Sequence, residues 1–158
     1  MSRRKGFSLV ELLIVLAVIA ALIATITPVA LNAIQKAKAT QVAQNLKTLA
    51  SAFENKAYVD GATQAEAIAD LTKISRDVTG DYKLFYKHSN GTFTCVVVFT
   101  PTNAVNEDKV IEALQNARTD RLYTDSDFNW ITKGGKSTTA TSIDENLGVY
   151  YPFVFSVY

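Results

Sequence analysis

The sequence has few of the residues that usually build catalytic or metal sites. Its 158 residues include one cysteine, Cys95, and one histidine, His88. A single cysteine excludes an intrachain disulfide. The histidine has no evident serine and acid partners in the sequence, so a hydrolase triad has no support. We therefore expect no catalytic residue, no metal and no cofactor.

Charged residues are also missing from most of the first 35 positions. Arg3, Arg4 and Lys5 form a basic start, and Glu11 is then the only charged residue from position 7 to position 35. The whole chain balances 16 basic against 15 acidic side chains, a net charge of +1. Such a nearly neutral chain has no overall field that favours nucleic acid, so we expect no specific nucleic-acid partner.

The apolar segment at residues 7–31 is long enough to cross a membrane. As a helix it would extend about 37 Å, which exceeds the ~30 Å hydrocarbon core of a bilayer. The basic start predicts a cytoplasmic N-terminus. An ordinary secretory signal peptide is the simplest alternative, but its apolar core usually has roughly 7–15 residues. A plain membrane anchor remains open, although it gives Glu11 no role.

The stretch "RRKGFSLVELLIVLAVIAAL" resembles the N-terminus of type IV pilins and of the pseudopilins of type II secretion. The shared elements are a short basic leader ending in Gly6, the aromatic Phe7, Glu11 four residues later, and unbroken aliphatic residues. The resemblance covers roughly residues 1–56. Many bacterial pilins also close a C-terminal loop with two cysteines, which this chain cannot do.

The resemblance implies a processing and assembly role for three of these residues. A prepilin peptidase would cut between Gly6 and Phe7 and methylate the new amine of Phe7. Glu11 would then pair with that amine on a neighbouring copy, because a carboxylate in apolar surroundings is costly unless it is paired. The alternative is a carboxylate that reaches water at the membrane surface.

Beyond the apolar segment the sequence predicts that the helix continues to about Tyr58. Pro28 removes a backbone hydrogen bond and should kink this helix. Apolar residues at helical spacing after Pro28 predict a stripe buried against a head: Ala39, Val42, Ala43, Leu46, Leu49, Ala50 and Phe53. We therefore expect a leader at 1–6, an apolar helix at 7–31, an amphipathic helix at 32–58 and a head at 59–158.

The head has the pattern of a small α+β domain. Thr63 and Glu66 have the spacing of a capping box, which predicts a short helix that ends at about Ile74. Asn90-Gly91 lies between two runs of β-forming residues and predicts a hairpin whose second strand buries Cys95.

The second half of the head contains three further elements. Asn106 predicts the cap of a helix with a buried stripe at Val110, Ile111, Leu114 and Ala117. A short strand is expected at 128–132, and the alternating residues from Val149 to Val157 predict a last strand, with Pro152 indicating a sheet edge. The sequence thus predicts an α+β protein, a long N-terminal helix packed against a small antiparallel β-sheet head, as in the type IV pilin fold.

Several motifs in the head and helix resemble binding sites, and we interpret them as structural. "KGGKS" at 133–137 resembles a phosphate-binding loop but has Trp130 where that loop needs glycine. Asp120, Asp125 and Asp127 could bind calcium, although a flexible acidic loop is the simpler interpretation. The sequon at Asn90 is explained by turn chemistry, and the residues Lys36, Lys38 and Lys47 by a solvated helix face.

The resemblance implies a structural subunit of a type IV pilus-like filament. Its expected partners are a prepilin peptidase, copies of itself, the pilus assembly machinery of the inner membrane, and the bilayer before assembly. The precursor would cross the inner membrane once and then join an extracellular filament. A pseudopilin in the periplasm, a minor or competence pilin for DNA uptake, and a membrane-anchored enzyme or binding domain remain alternatives.

Overall fold

The computed structural model describes residues 7–76, 79–100, 105–119, 128–141 and 148–158. The chain divides into two compact units, Met1–Gln35 and Lys36–Tyr158. Its helices are α1 (Leu9–Asp60), α2 (Ala62–Glu66) and α3 (Glu107–Ala113), with a 3₁₀ turn at Leu71–Lys73. Its strands are β1 (Tyr82–Ser89), β2 (Thr92–Phe99), β3 (Phe128–Thr132), β4 (Gly135–Thr141) and β5 (Val149–Ser156). The predicted α+β fold is confirmed.

The first unit consists of the N-terminal part of α1. Its large aliphatic side chains from Leu9 to Ile34 are 46–80 % exposed. Among the described residues, α1 is the one helix that is long and apolar enough to cross a membrane. In water this exposed aliphatic surface would be strongly unfavourable, so the segment requires a lipid or protein environment.

The second unit is a five-stranded antiparallel sheet whose inner face packs on α1. The strand order is β4-β3-β1-β2-β5. The predicted stripe of α1 is buried, and Phe53 lies at its centre with no exposed surface. The Phe53 ring centroid lies 5.5 Å from that of Tyr86, 5.8 Å from that of Phe93 and 6.1 Å from that of Phe155.

The outer face of the sheet carries a second buried cluster. It contains Phe85, Val96, Val98, Phe128 and Tyr150. The sequence alternation assigned the core to one face of β2, and that face is confirmed by Phe93, Cys95, Val97 and Phe99. The opposite face is also buried along part of β2, which explains the continuous run of valines from 96 to 98.

Two details of the predicted helices were wrong. The α2 helix begins after Gly61, has no side-chain cap and ends at Glu66, so Thr63 and Glu66 do not form a capping box. The predicted continuation to Ile74 is replaced by the 3₁₀ turn, which Asp70 caps by accepting from the Thr72 N–H at 2.7 Å. The end of α2 is instead fixed by two side chains from the sheet, which donate to its last carbonyl oxygen.

The cap of α3 is confirmed, but the helix is shorter than the apolar pattern indicated. Asn106 accepts from the Lys109 N–H at 3.1 Å. The helix ends at Ala113, so Leu114 follows it and Ala117 is buried from the adjoining turn. Strand β4, in a polar stretch where we expected no strand, pairs with β3.

The last strand lies at a sheet edge, as Pro152 indicated. Strand β5 pairs with β2 on one side only. On its other side, Tyr150 exchanges two backbone hydrogen bonds of 2.9 Å with Arg118. The strand edge therefore combines one proline, which has no N–H to offer, with one residue already paired.

The hairpin turn at Asn90-Gly91 holds the C-terminal residues of the chain. Gly91 has a φ of 78°, and its carbonyl oxygen accepts from the Val157 N–H at 2.8 Å. A Cβ atom on Gly91 would lie 2.9 Å from the Val157 carbonyl oxygen. Gly134, in the β3–β4 turn, also has a positive φ, 98°, but a Cβ atom there would meet nothing within 4 Å.

These two glycines form a matched pair for a stability measurement. Gly134→Ala should cost about 1–2 kcal/mol, the usual cost of a left-handed conformation for an L-residue. Gly91→Ala should cost more, because it adds a backbone clash to the same conformational strain. The free energy of unfolding can be followed by urea titration of the full chain in detergent, with Trp130 fluorescence as the probe. Equal losses for the two variants would contradict the clash.

Candidate functional site

The first turn of α1 places Glu11 next to the backbone of its own chain. Ser8 precedes the helix, and its carbonyl oxygen accepts from the Leu12 N–H at 3.2 Å. The Glu11 carboxylate oxygen Oε2 accepts from the Ser8 N–H at 2.8 Å. Ser8 is therefore the N-cap residue, and Glu11, three positions later, reaches back to it as the second half of a capping box.

This contact assigns Glu11 a local role that our sequence interpretation missed. The signal was present, because Ser8-Leu9-Val10-Glu11 has the S-x-x-E spacing of a capping box. The carboxylate also lies in the first turn, where the positive end of the helix dipole favours a negative charge. The same residue can thus stabilise the start of the helix and present a charge within an otherwise apolar segment.

The other predicted residues of the N-terminal segment are placed as follows. Phe7 is exposed over 75 % of its surface and directly precedes the cap. Gly6 and the basic leader lie outside the described residues. Pro28 lies within a continuous helix, so the proposed kink stays a prediction.

Two threonine hydroxyls lie close to Pro28 along the helix. Thr25 Oγ1 donates to the Leu22 carbonyl oxygen at 2.9 Å, and Thr27 Oγ1 donates to the Ile23 carbonyl oxygen at 2.7 Å. Within a bilayer such internal hydrogen bonds satisfy side-chain donors that no water could reach.

The head has a polar cluster between α2 and the sheet, and its geometry is structural. His88 Nδ1 lies 2.8 Å from the Glu66 carboxylate, and the His88 ring stacks on Phe93 with centroids 4.3 Å apart. The Glu66 carbonyl oxygen accepts from the Lys136 ammonium and from the Tyr86 hydroxyl. These contacts hold the end of α2 against β1 and β4, and none of the described hydrogen bonds joins the histidine to a serine, threonine or cysteine.

A second contact fastens the following turn to the β3–β4 hairpin. Asp70 accepts from the Gly134 N–H at 2.7 Å as well as capping the 3₁₀ turn. The hydrogen bond from the Thr72 backbone is the largest cause that lowers the pKa of the Asp70 carboxyl, and bonds from the Thr72 side chain and the Gly134 backbone add to it. The sequence "KGGKS" is therefore part of a β-hairpin, which agrees with our rejection of a phosphate-binding loop.

The remaining candidates among the described residues do not form a reactive site. Burial, with Glu54 nearby as a smaller cause, raises the pKa of the Cys95 thiol well above its usual value, so it stays a protonated core residue. In the part of the chain that the structure describes, no three His, Cys, Asp or Glu side chains are grouped to hold a metal. Asp120, Asp125 and Asp127 lie outside the described residues.

Comparisons with known proteins support the N-terminal assignment. Residues 1–27 match the family description "prokaryotic N-terminal methylation motif". Neither the curated proteins nor the solved structures contain a significant match to this chain. The matched residues include the leader, Phe7, the Ser8–Glu11 cap and most of the exposed apolar helix. Residues 1–27 therefore form a prepilin-type (class III) signal segment, and the α+β head that follows it is consistent with a pilin fold.

Proposed function

We propose that this chain is a structural subunit of a type IV pilus-like filament. The observation that carries the proposal is the N-terminal methylation motif on a helix whose aliphatic surface is exposed along its whole first unit. Lipid covers this surface in the precursor, and the apolar helices of other copies cover it in the filament. The role of the chain is thus structural rather than catalytic.

Processing in this proposal occurs between Gly6 and Phe7. A prepilin peptidase at the inner membrane removes the basic leader and methylates the amine of Phe7, which is then positively charged. The exposed position of Phe7, ahead of the first helical turn, supports access by an enzyme. The precursor crosses the inner membrane once with its N-terminus in the cytoplasm.

Glu11 then selects the position of a new subunit. Its carboxylate is the sole charge from position 7 to position 35, so the methylated amine of a neighbouring copy is the strongest partner within the apolar core. The Ser8 N–H holds the carboxylate while the subunit is still in the membrane, and pairing between copies follows on assembly. Pro28 lets the helix bend as it leaves the bilayer.

The processing step can be tested by mass spectrometry of the intact protein from native membranes. We expect the mature chain to begin with N-methylated Phe7. A Gly6→Leu variant should keep residues 1–6, because a large side chain would block the cut site. If the wild-type chain keeps its leader, the chain is a membrane-anchored domain and the proposal is wrong.

Deletion of the gene tests whether a pilus, a secretion system or a DNA-uptake system uses the subunit. Loss of surface filaments in electron micrographs would support the pilus, together with the inner-membrane assembly machinery as partner. Loss of protein export with no change in filaments would instead support a pseudopilin in the periplasm. Loss of DNA uptake alone would support a minor competence pilin, since the methylation motif is common to all three.

A further inference from the structure

One face of α1 in the second unit is exposed and carries no charge. It consists of Gln41, Gln44, Thr48, Ser51 and Asn55, which we call the open face. Their spacing alternates between three and four residues, so the five side chains lie on one side of the helix. A solvated helix face normally carries charged side chains, and charged residues are depleted at the centre of protein interfaces. The lack of charge at the centre of this face is a feature that it shares with such interfaces.

The hydrogen-bonding groups of the open face have no partners in the described part of the chain. No hydrogen bond joins any of its five side chains to another described residue. A shallow groove of about 430 Å³ runs along it, lined by Gln44, Lys47, Thr48, Ser51, Ala52 and Asn55. An aliphatic partner would leave these amides and hydroxyls unsatisfied, so the partner must itself be polar.

Lysines border the open face. Lys38 and Lys47 are exposed, and neither forms an ion pair with another described residue. Lys56 forms an ion pair with Asp60, so its charge is already compensated within the chain. Lys47 lies beside the groove, halfway along the face. Glu54 also borders the open face, but its carboxylate is hydrogen-bonded to the Tyr58 side chain. Lys47 and Lys38 therefore carry the charges at this border that have no ion pair with a described residue, and they favour an acidic partner.

The chain itself contains a surface of that kind on α3. Asp108 and Glu112 are exposed, and their four-residue separation places both on one side of the helix. Neither carboxylate forms an ion pair within the residues that the structure describes. The buried Val110 fixes the opposite side of α3 against the core. The helix therefore presents its two carboxylates outward on a rigid support.

We propose that α3 of one copy binds the open face of α1 in a second copy. Asp108 and Glu112 pair with Lys47 of that copy, and the amides and hydroxyls of its open face complete the hydrogen bonds around them. The two surfaces differ, so each copy can bind one neighbour through each surface, and the contact continues as an open chain. A second open face would be a poorer partner, because it would bring like charges together. This inference rests on the proposed filament function.

The pairing of Lys47 with Glu112 can be tested by reversing these two charges in the full chain, expressed in its native cells. Lys47→Glu alone and Glu112→Lys alone should each lower the filament yield about tenfold, the effect of losing roughly 1.4 kcal/mol per contact. Combining Lys47→Glu with Glu112→Lys should recover a large part of the yield, but not all of it, because the unchanged Asp108 then faces a carboxylate. Lys133→Glu, which reverses an exposed lysine in the β3–β4 turn, is the matched control and should assemble normally.

Two outcomes would overturn the inference while leaving the proposed function intact. One is that the single variants assemble as well as the Lys133→Glu control. The other is that the single variants fail but the combined variant does not recover. Leader removal, read by mass spectrometry in every variant, verifies that each chain reached the membrane. Absence of filaments in the wild type would instead contradict the proposed function itself.

Disulfide trapping provides an independent measurement. A chain carrying both Thr48→Cys and Glu112→Cys should give a ladder of oligomers on mild oxidation, since each copy has one thiol on each surface. Cys95 is buried and does not contribute. Each single variant should remain monomeric. A dimer formed by Thr48→Cys alone would show that the open face binds itself, and the proposed pairing with α3 would be wrong.

Discussion

Replacing Glu11 by glutamine should lower filament yield by about a hundredfold or more while leaving removal of the leader unchanged. Breaking a buried ion pair by removing one charge costs about 3–5 kcal/mol, and every 1.4 kcal/mol is tenfold. The glutamine amide oxygen can still accept from the Ser8 N–H, so the helix cap is retained. Glu11→Gln therefore isolates the loss of charge from the loss of the cap.

Two further variants complete this experiment. Glu11→Ala removes both functions and should assemble no better than Glu11→Gln, with a helix start weakened by about 1 kcal/mol. Ser8→Ala keeps the backbone N–H that binds Glu11, so it should assemble at close to the wild-type level. Filaments sheared from cells can be quantified by immunoblot. Normal assembly of Glu11→Gln would show that charge pairing is not what orders the subunits.

Phe53→Ala should lower the free energy of unfolding of the head by about 3–5 kcal/mol. The side chain has no exposed surface, and it joins α1 to rings on β1, β2 and β5. Domains of this size are stable by about 5–15 kcal/mol, so the variant loses a large part of the total. Urea unfolding of the full chain in detergent, followed by Trp130 fluorescence, measures the loss.

Tyr58→Ala is the matched control for this measurement. Tyr58 lies on the same helix and also contacts Phe155, at 5.6 Å between ring centroids, but it is 53 % exposed. Its removal takes away less buried surface and should cost about 1 kcal/mol. If both variants lose the same stability, the core does not centre on Phe53 as the structure indicates.

Residue periodicity predicted the parts of the fold that depend on burying one face. The stripe on α1 and the alternation on β2 and β5 are strong signals, because a shift of register would expose the whole set. The Asn90-Gly91 turn was predicted for a local reason, since both residues adopt a positive φ readily and both do so here.

The elements that the sequence did not reveal are those that depend on distant partners. Strand β4 is polar, and it forms because β3 supplies its hydrogen bonds. The outer cluster around Phe85 and Tyr150 joins residues far apart in the chain, so no local pattern marks it. The error at α2 has the same origin, since its end is fixed by contacts from Tyr86 and Lys136.

The roles of Gly6, Phe7 and Glu11 at the candidate site stay predictions, and the contact between Glu11 and Ser8 was not predicted. The spacing of Phe7 and Glu11 carried the resemblance to a prepilin signal, and the methylation motif agrees with it. That resemblance concerns the charge of Glu11 and does not indicate its hydrogen bond to the Ser8 N–H. The cap with Ser8 follows from elementary helix chemistry and needed no family knowledge.

The closed edge of β5 has a consequence for any assembly that concentrates these heads. A filament would hold many copies side by side at very high local concentration, where unpaired strand edges join readily into continuous sheets. Pro152 has no N–H to donate to such a neighbour, and the backbone N–H and carbonyl oxygen of Tyr150 are already hydrogen-bonded to Arg118. Neighbouring heads would therefore find no continuous row of free backbone groups along β5, so this edge would not seed the growth of one sheet through many subunits.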